Sequence, residues 1–224
     1  SAAHTMIKKR NLDVQTKMSE TIFLEPTKPA NKIIYVSIRN TSDKPLEIKN
    51  KIKNLLTESG FTITQDPDEA KFMLQGNILQ VGKSDLRAAR DALASGWGGM
   101  VTGAAIAGAT GGSSRNMMGS GLLMGALSLA GDALVDDTLF SMITDLQVRE
   151  RPLAGEVITQ SQRTAASQGT ATTMTQNVSG GQINWKTYRT RIVSTANKAN
   201  LKFEEALPVL EDGLVRSISG MFSD

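Results

Sequence analysis

Cysteine is absent, and histidine occurs once, at His4. No disulfide, thiolate nucleophile or cysteine-based metal site is therefore possible, and a lone histidine near the start of the chain leaves little for metal binding or acid–base work. Aromatic residues make up only 4% of the chain, so platforms for stacking bases or sugars are few. Phosphate loops are missing too. Gly119-Ser120-Gly121 comes nearest to the G-x-G-x-x-G pattern, but the next glycine, Gly125, arrives one residue late. No G-x-S-x-G elbow occurs, and no histidine stands ready to serve a serine. The acidic pairs Asp136-Asp137 and Glu204-Glu205 read more simply as a solvated helix flank and as charge favoured at a helix N-terminus than as catalytic carboxylates. Asn40-Thr41-Ser42 and Asn177-Val178-Ser179 fit a glycosylation pattern, but a turn and a cap explain them better. These absences exclude an enzyme and call for no metal, cofactor or nucleic acid.

What is present suits a folded protein. The 224 residues are 40% hydrophobic and 21% charged, enough for one sizeable domain or a domain carrying a substantial insertion. The net charge of +3 is uneven: residues 1–54 hold 11 Lys or Arg against 5 Asp or Glu, a local balance of +6 that leaves −3 for the remainder. Lys8, Lys9 and Arg10 form a basic cluster that suits either anionic lipid head groups or a solvated terminus. The chain opens at Ser1 without a charged, apolar and small-residue leader, so it reads as mature or trimmed.

Residues 1–31 carry scattered polar and charged residues with Pro26 and Pro29, and predict an extended arm with one strand near Thr21–Leu24. Ile34, Val36 and Ile38 alternate along a strand, Lys32–Arg39. Asn40-Thr41-Ser42-Asp43 before Pro45 starts a helix with Leu46, Ile48, Ile52, Leu55 and Leu56 on its apolar face, stopped at Gly60. Two strands follow: Phe61–Thr64, and Lys71–Val81 with a break at Gly76. In the second half, Phe140–Arg149 and Ile183–Ser194 read as strands, the latter anchored by Trp185, Tyr188 and Ile192. Between them, 152–183 is a Ser/Thr-rich loop with weak strand signals at Val157–Thr159 and Thr170–Thr175. The last element is a helix over Glu204–Met221, in which Pro208 fits only in the first turn.

The centre is different in kind. No charge occurs between Asp91 and Arg115 for 23 residues, nor between Arg115 and Asp132 for 16, and 11 of the 20 glycines fall between Gly96 and Gly131. Apolar residues recur through it, so it is no flexible linker, yet each glycine in an exposed helix costs about 1 kcal/mol relative to alanine. Close helix packing offsets that loss: Gly99 with Gly103, Gly108 with Gly112, and Gly121 with Gly125 form G-x-x-x-G pairs. A polar tip runs through Ser113, Ser114, Arg115, Asn116 and Ser120. Segments Gly96–Gly112 and Asn116–Gly131 would span about 24–26 Å as helices, short for an average bilayer and closer to the thin bacterial outer membrane. Several hairpins side by side, as a ring or plug, would cover the glycine faces. The alternative is a buried helical hairpin in a soluble core.

Several strings then point to a family. Ile7-Lys8-Lys9-Arg10-Asn11-Leu12, Met18-Ser19-Glu20-Thr21-Ile22 and Leu24-Glu25-Pro26 resemble the TraT surface-exclusion and complement-resistance lipoproteins of conjugative plasmids. So do Asn40-Thr41-Ser42-Asp43-Lys44, Met142-Ile143-Thr144-Asp145, Lys202-Phe203-Glu204-Glu205-Ala206 and Pro208-Val209-Leu210-Glu211-Asp212. The likeness runs from near residue 7 to near residue 218 and includes the glycine-rich hairpin; the stretch 152–183 departs most. It implies an outer-membrane lipoprotein of a Gram-negative cell, a homo-oligomer that blocks redundant plasmid entry by hindering contact with a donor-cell surface component, and that confers resistance to complement. The family's acylated cysteine would lie just before Ser1.

The expectation is thus an α+β fold: a mixed sheet with two main helices, interrupted by a Gly-rich two-helix membrane hairpin. Its divisions are an N-terminal arm next to the lipid anchor (1–31), the first half of a periplasmic α/β domain (32–91), the hairpin (92–135) and the second half (136–224). Function is a passive oligomeric barrier at the outer membrane, with itself and outer-membrane lipid as partners. The rival is a periplasmic scaffold whose hairpin packs within a soluble assembly. The polar tip is the expected surface for partner specificity.

Overall fold

The computed structural model describes residues 11–101, 137–152, 172–178 and 181–223. Their strands are β1 (Asp13–Met18), β2 (Ile33–Asn40), β3 (Thr62–Thr64), β4 (Phe72–Ser84), β5 (Asp137–Glu150), β6 (Thr172–Val178) and β7 (Gly181–Ala199). The helices are α1 (Ile48–Glu58), α2 (Leu86–Ser95) and α3 (Phe203–Phe222). One mixed sheet in the order β1-β7-β5-β4-β2-β3 takes in every strand, with β6 paired to the far half of β7. β2 runs parallel to β3 and β4, its connection to β3 passing through α1 as parallel neighbours require, and the other pairings are antiparallel. The fold is α+β as expected, with three helices among the described residues where two main ones were anticipated. The expected two-helix hairpin over 92–135 falls largely outside the described residues, and its first residues, up to Ser95, belong to α2.

The first sheet face carries the main core. Phe72, Leu74 and Ile78 of β4, Met142, Leu146 and Val148 of β5, and Ile192 and Ala196 of β7 point to it. Helices α1 and α3 close it: Ile48, Ile52 and Leu56 recur every four residues on α1, and Leu210, Leu214 and Ile218 on α3. Phe61, Phe72 and Phe222 meet edge to face, with ring centroids 5.3–5.9 Å apart. Lys51 of α1 and the buried Glu211 of α3 join the two helices by an ion pair at 2.5 Å.

Several expectations need correction. No strand forms at Thr21–Leu24; the N-terminal strand is β1, which adds to the edge of β7 through Val14 opposite Ala196 and Thr16 opposite Ser194. Gly76 does not break β4. It lies in regular register opposite Leu146, where a Cβ would stand 3.0 Å from Ile38 Cδ1, and the irregularity falls between Ile78 and Gln80 instead. Pro208 is the sixth residue of α3, beyond the first turn. It is tolerated because both Pro208 and Glu204, whose carbonyl loses its helical donor, face solvent. The weak strand signal at Thr170–Thr175 falls on β6, and that at Val157–Thr159 lies outside the described residues.

Tyr188 shares the first face with Val148 and Glu150. Burial raises its phenol pKa above the ordinary value, and the nearby Glu150 charge adds to the effect. A phenol with a raised folded-state pKa contributes stability that is complete below the unfolded value of about 10 and is lost as pH rises through the folded one. Urea midpoints should therefore fall more between pH 9 and pH 11 in the parent protein than in Tyr188→Phe; parallel declines would show that Tyr188 is not the group responsible.

Candidate functional site at the root of the glycine-rich segment

The second face of the sheet is polar where the first is apolar. Reading across neighbouring strands, Ser37, Gln75, Gln147 and Arg189 form one row, and Arg39, Asn77, Asp145 and Arg191 the next. Helix α2 covers one part of this face, its Ala89, Ala92 and Leu93 resting on Ile143 and Val193. Asp85 caps it, accepting a hydrogen bond from Ala88 N–H at 2.8 Å. The sequence signal for α2 was legible: an aspartate cap, then Leu86, Ala89, Arg90 and Leu93 at helical spacing. The expected elements nevertheless leave residues 82–91 unassigned and begin the hairpin at residue 92, inside α2.

Helix α2 ends at Ser95 because Gly96 and Gly98 adopt φ of +66° and +72°, a region that side chains avoid. This reversal delivers the start of the glycine-rich segment onto the sheet, where Arg191 receives it. The Arg191 side chain is 0% exposed, and Asp145 opposite it is 12% exposed. Arg191 Nε donates to Asp145 Oδ1 at 2.6 Å and Nη2 to Oδ2 at 3.0 Å. Nη1 donates to Ala92 O at 3.2 Å and Ser95 Oγ at 2.7 Å, and Nη2 also to Gly99 O at 2.8 Å. All five guanidinium donors are thus used. Gly98 N–H completes the node with a 2.8 Å bond to Asp145 Oδ2. A cation facing the last carbonyls of a helix is further favoured by the helix dipole. Trp97, 41% exposed, is held beside the node by the Arg189 guanidinium, 4.2 Å from its ring centroid.

A second arginine does the same for the Ser/Thr-rich stretch. Arg151, just beyond β5, donates through Nε to Ala70 O at 2.7 Å and through Nη2 to Asp68 O at 2.9 Å. Its guanidinium lies 4.4 Å from the centroid of the buried Trp185 ring. Lys71 Nζ donates to its carbonyl. Both long segments that leave the sheet near β5 are therefore clamped at their departure points by arginine.

Of the residues expected to pack helices, only Gly99 is among the described ones, and its role is corrected. It lies in the turn after α2, not on a helix face, because the positive φ at Gly96 and Gly98 stops the helix before it. Any Cβ there would collide with the Ser95 backbone, and its carbonyl is taken by Arg191. Gly103, Gly108, Gly112, Gly121 and Gly125, and the tip residues Ser113, Ser114, Arg115, Asn116 and Ser120, lie outside the described residues. Among the described residues no helix is long and apolar enough to cross a membrane, and no cluster of potential metal ligands occurs. Sequence reasoning missed Arg191 and Asp145. The available signal was a charge in the middle of each of two strands otherwise rich in buried side chains.

A sequence model of the family described as "Enterobacterial TraT complement resistance protein" matches residues 11–222. A TraT complement resistance protein of Escherichia coli is 44% identical over 228 residues, covering 98% of this chain and 90% of its own. Another, from Escherichia coli strain K12, is 43% identical over 227 residues with the same coverage. One from Wigglesworthia glossinidia brevipalpis is 29% identical over 220 residues, covering 98% of this chain and 88% of its own. This is not an enzyme family. The match takes in every described strand and helix and both arginine clamps, and the chain belongs to the TraT complement resistance family.

Proposed function

We propose that this protein confers complement resistance and conjugative surface exclusion as a passive oligomeric barrier at the outer membrane of a Gram-negative cell. The observation that carries the reading is the family match across residues 11–222, with relatives whose names specify complement resistance. The node of Arg191 and Asp145 fits such a role, since it fixes the departure of the glycine-rich segment to a rigid seven-stranded sheet. A barrier needs firm placement and no chemistry. In this reading the segment beyond the turn from Gly96 to Gly99, residues 102–135, packs against its copies in neighbouring subunits and enters the outer membrane, the polar tip from Ser113 to Ser120 meets a donor-cell component, and an acylated cysteine ahead of Ser1 anchors the chain.

Expression of the lipid-anchored protein in a serum-sensitive Gram-negative host should raise survival in serum and lower the frequency at which the host receives a related plasmid. Exchange of residues 113–120 with those of a relative should change which plasmids are excluded while serum survival is retained. Unchanged survival and unchanged plasmid uptake on expression would defeat the reading. An oligomer that stays monodisperse without detergent would instead favour a periplasmic scaffold.

A further inference from the structure

The part of the second face left open by α2 is a groove of about 400 Å³. Ser37, Arg39, Gln75, Asn77, Gln147 and Arg149 line it, and Trp97 forms a wall. Asp145 is the carboxylate on this lining, and both its oxygens are already engaged by Arg191. Arg39 and Arg149 therefore bring two positive charges to the lining, and the Arg189 guanidinium lies close to Arg149. Arg189 is fixed between the Trp97 ring at 4.2 Å and Gln147 Oε1 at 2.9 Å. Gln147 in turn donates to Gln75 Oε1 at 3.0 Å, so the floor is ordered by its own hydrogen bonds.

Arg149 is the strained member of this set. Its Nε is buried with no hydrogen-bond partner, and burial, with the nearby Arg189 charge, pushes its pKa below the ordinary arginine value. A buried donor left unmade and two like charges side by side are both unfavourable. A multivalent oxyanion relieves both at once, because guanidinium forks match phosphate oxygens geometrically and in charge. We propose that this groove binds a phosphoryl group, through Arg149 and Arg39 with Ser37 and Asn77 as neutral partners. Trp97 places the site beside the root of the glycine-rich segment, so occupation would brace the turn from Gly96 to Gly99. The phosphoryl group belongs either to a phospholipid head group or to a soluble phosphate, two sources with one chemistry.

Titration calorimetry of the full chain with inorganic phosphate, against chloride at equal ionic strength, and flotation with phosphatidylglycerol vesicles against pure phosphatidylcholine vesicles test the site. Arg149→Gln should weaken binding at least about tenfold, the loss expected for one charge-assisted contact. Arg149→Lys should weaken it as well, since it keeps the charge but loses the fork. Arg39→Gln, at the exposed rim and so without folding consequences, should give a loss of similar size and carries the test should the Arg149 variants fold poorly. Binding to phosphatidylglycerol vesicles without binding to free phosphate, if lost in these variants, supports the site with lipid as its source; binding to free phosphate lost in the same variants supports it with a soluble source. Phosphate and vesicle binding that match the controls, or that persist in the Arg39 and Arg149 variants, would overturn the proposal; persistence would trace the affinity to other basic residues such as the Lys8–Arg10 cluster.

Discussion

Arg191→Met will destabilise the protein by about 3–5 kcal/mol, as expected when one partner of a buried ion pair is removed. Volume is nearly conserved, so the loss is electrostatic. Asp145 keeps its charge at 12% exposure with only Gly98 N–H to answer it, while Ala92 O, Ser95 Oγ and Gly99 O lose their shared donor. Asp145→Leu should cost a similar amount, because it leaves the fully buried Arg191 uncompensated. The double variant should cost clearly less than the two singles together, since no isolated charge remains. Urea unfolding of the four proteins gives the coupling directly, and additive losses would show that the pair does not hold this region. Limited chymotrypsin digestion reads the local consequence: cleavage at Trp97 should accelerate in Arg191→Met well below the unfolding transition.

Phe72→Ala will cost about 3–5 kcal/mol, the range for emptying a buried phenylalanine site. Phe72 is 1% exposed and touches both Phe61 and Phe222 edge to face, with centroids 5.9 Å away in each case. Its ring neighbours come from the connection after α1 and from the last turn of α3, two separate backbones that cannot both collapse into the vacancy. Phe23→Ala offers the contrast. Phe23 is 81% exposed, so the same chemical deletion should shift stability by less than about 0.5 kcal/mol. A Phe72→Ala loss close to that of Phe23→Ala would mean that the aromatic trio is not part of the core's rigid packing.

The main layer was legible because its signals are periodic and local. Ile34, Val36 and Ile38 alternate as a half-buried strand must, and Ile48, Ile52 and Leu56 return on one helix face. Glu204 and Glu205 fall in the first turn of α3, as their charge suggested. The errors have equally definite causes. Gly76 looks like a break in isolation, but its bareness answers a contact from Ile38 and Leu146 on other strands. Pro208 is judged by its effect on a helix, whereas its acceptability depends on which side of that helix meets water. The Arg191 node was hidden because its acceptors, Ala92, Ser95, Gly99 and Asp145, lie 46 to 99 residues away in the chain. Gly99 was recognised as special, but its purpose is a turn that presents a carbonyl and not a smooth helical face.

The arrangement of β5 has a mechanical consequence. Asp137, its first residue, is where the chain re-enters the sheet after the glycine-rich segment, and fourteen successive pairings tie β5 to β7 while β4 grips its other edge. A pull along the strand axis loads those perpendicular hydrogen bonds in shear, all at once. At the other root a pull meets Arg191, whose five bonds spread the load to the helix end, the turn and a neighbouring strand. Force arriving from the segment is therefore shared among many bonds at both attachment points, and the sheet can serve as a stiff footing for whatever load the segment carries.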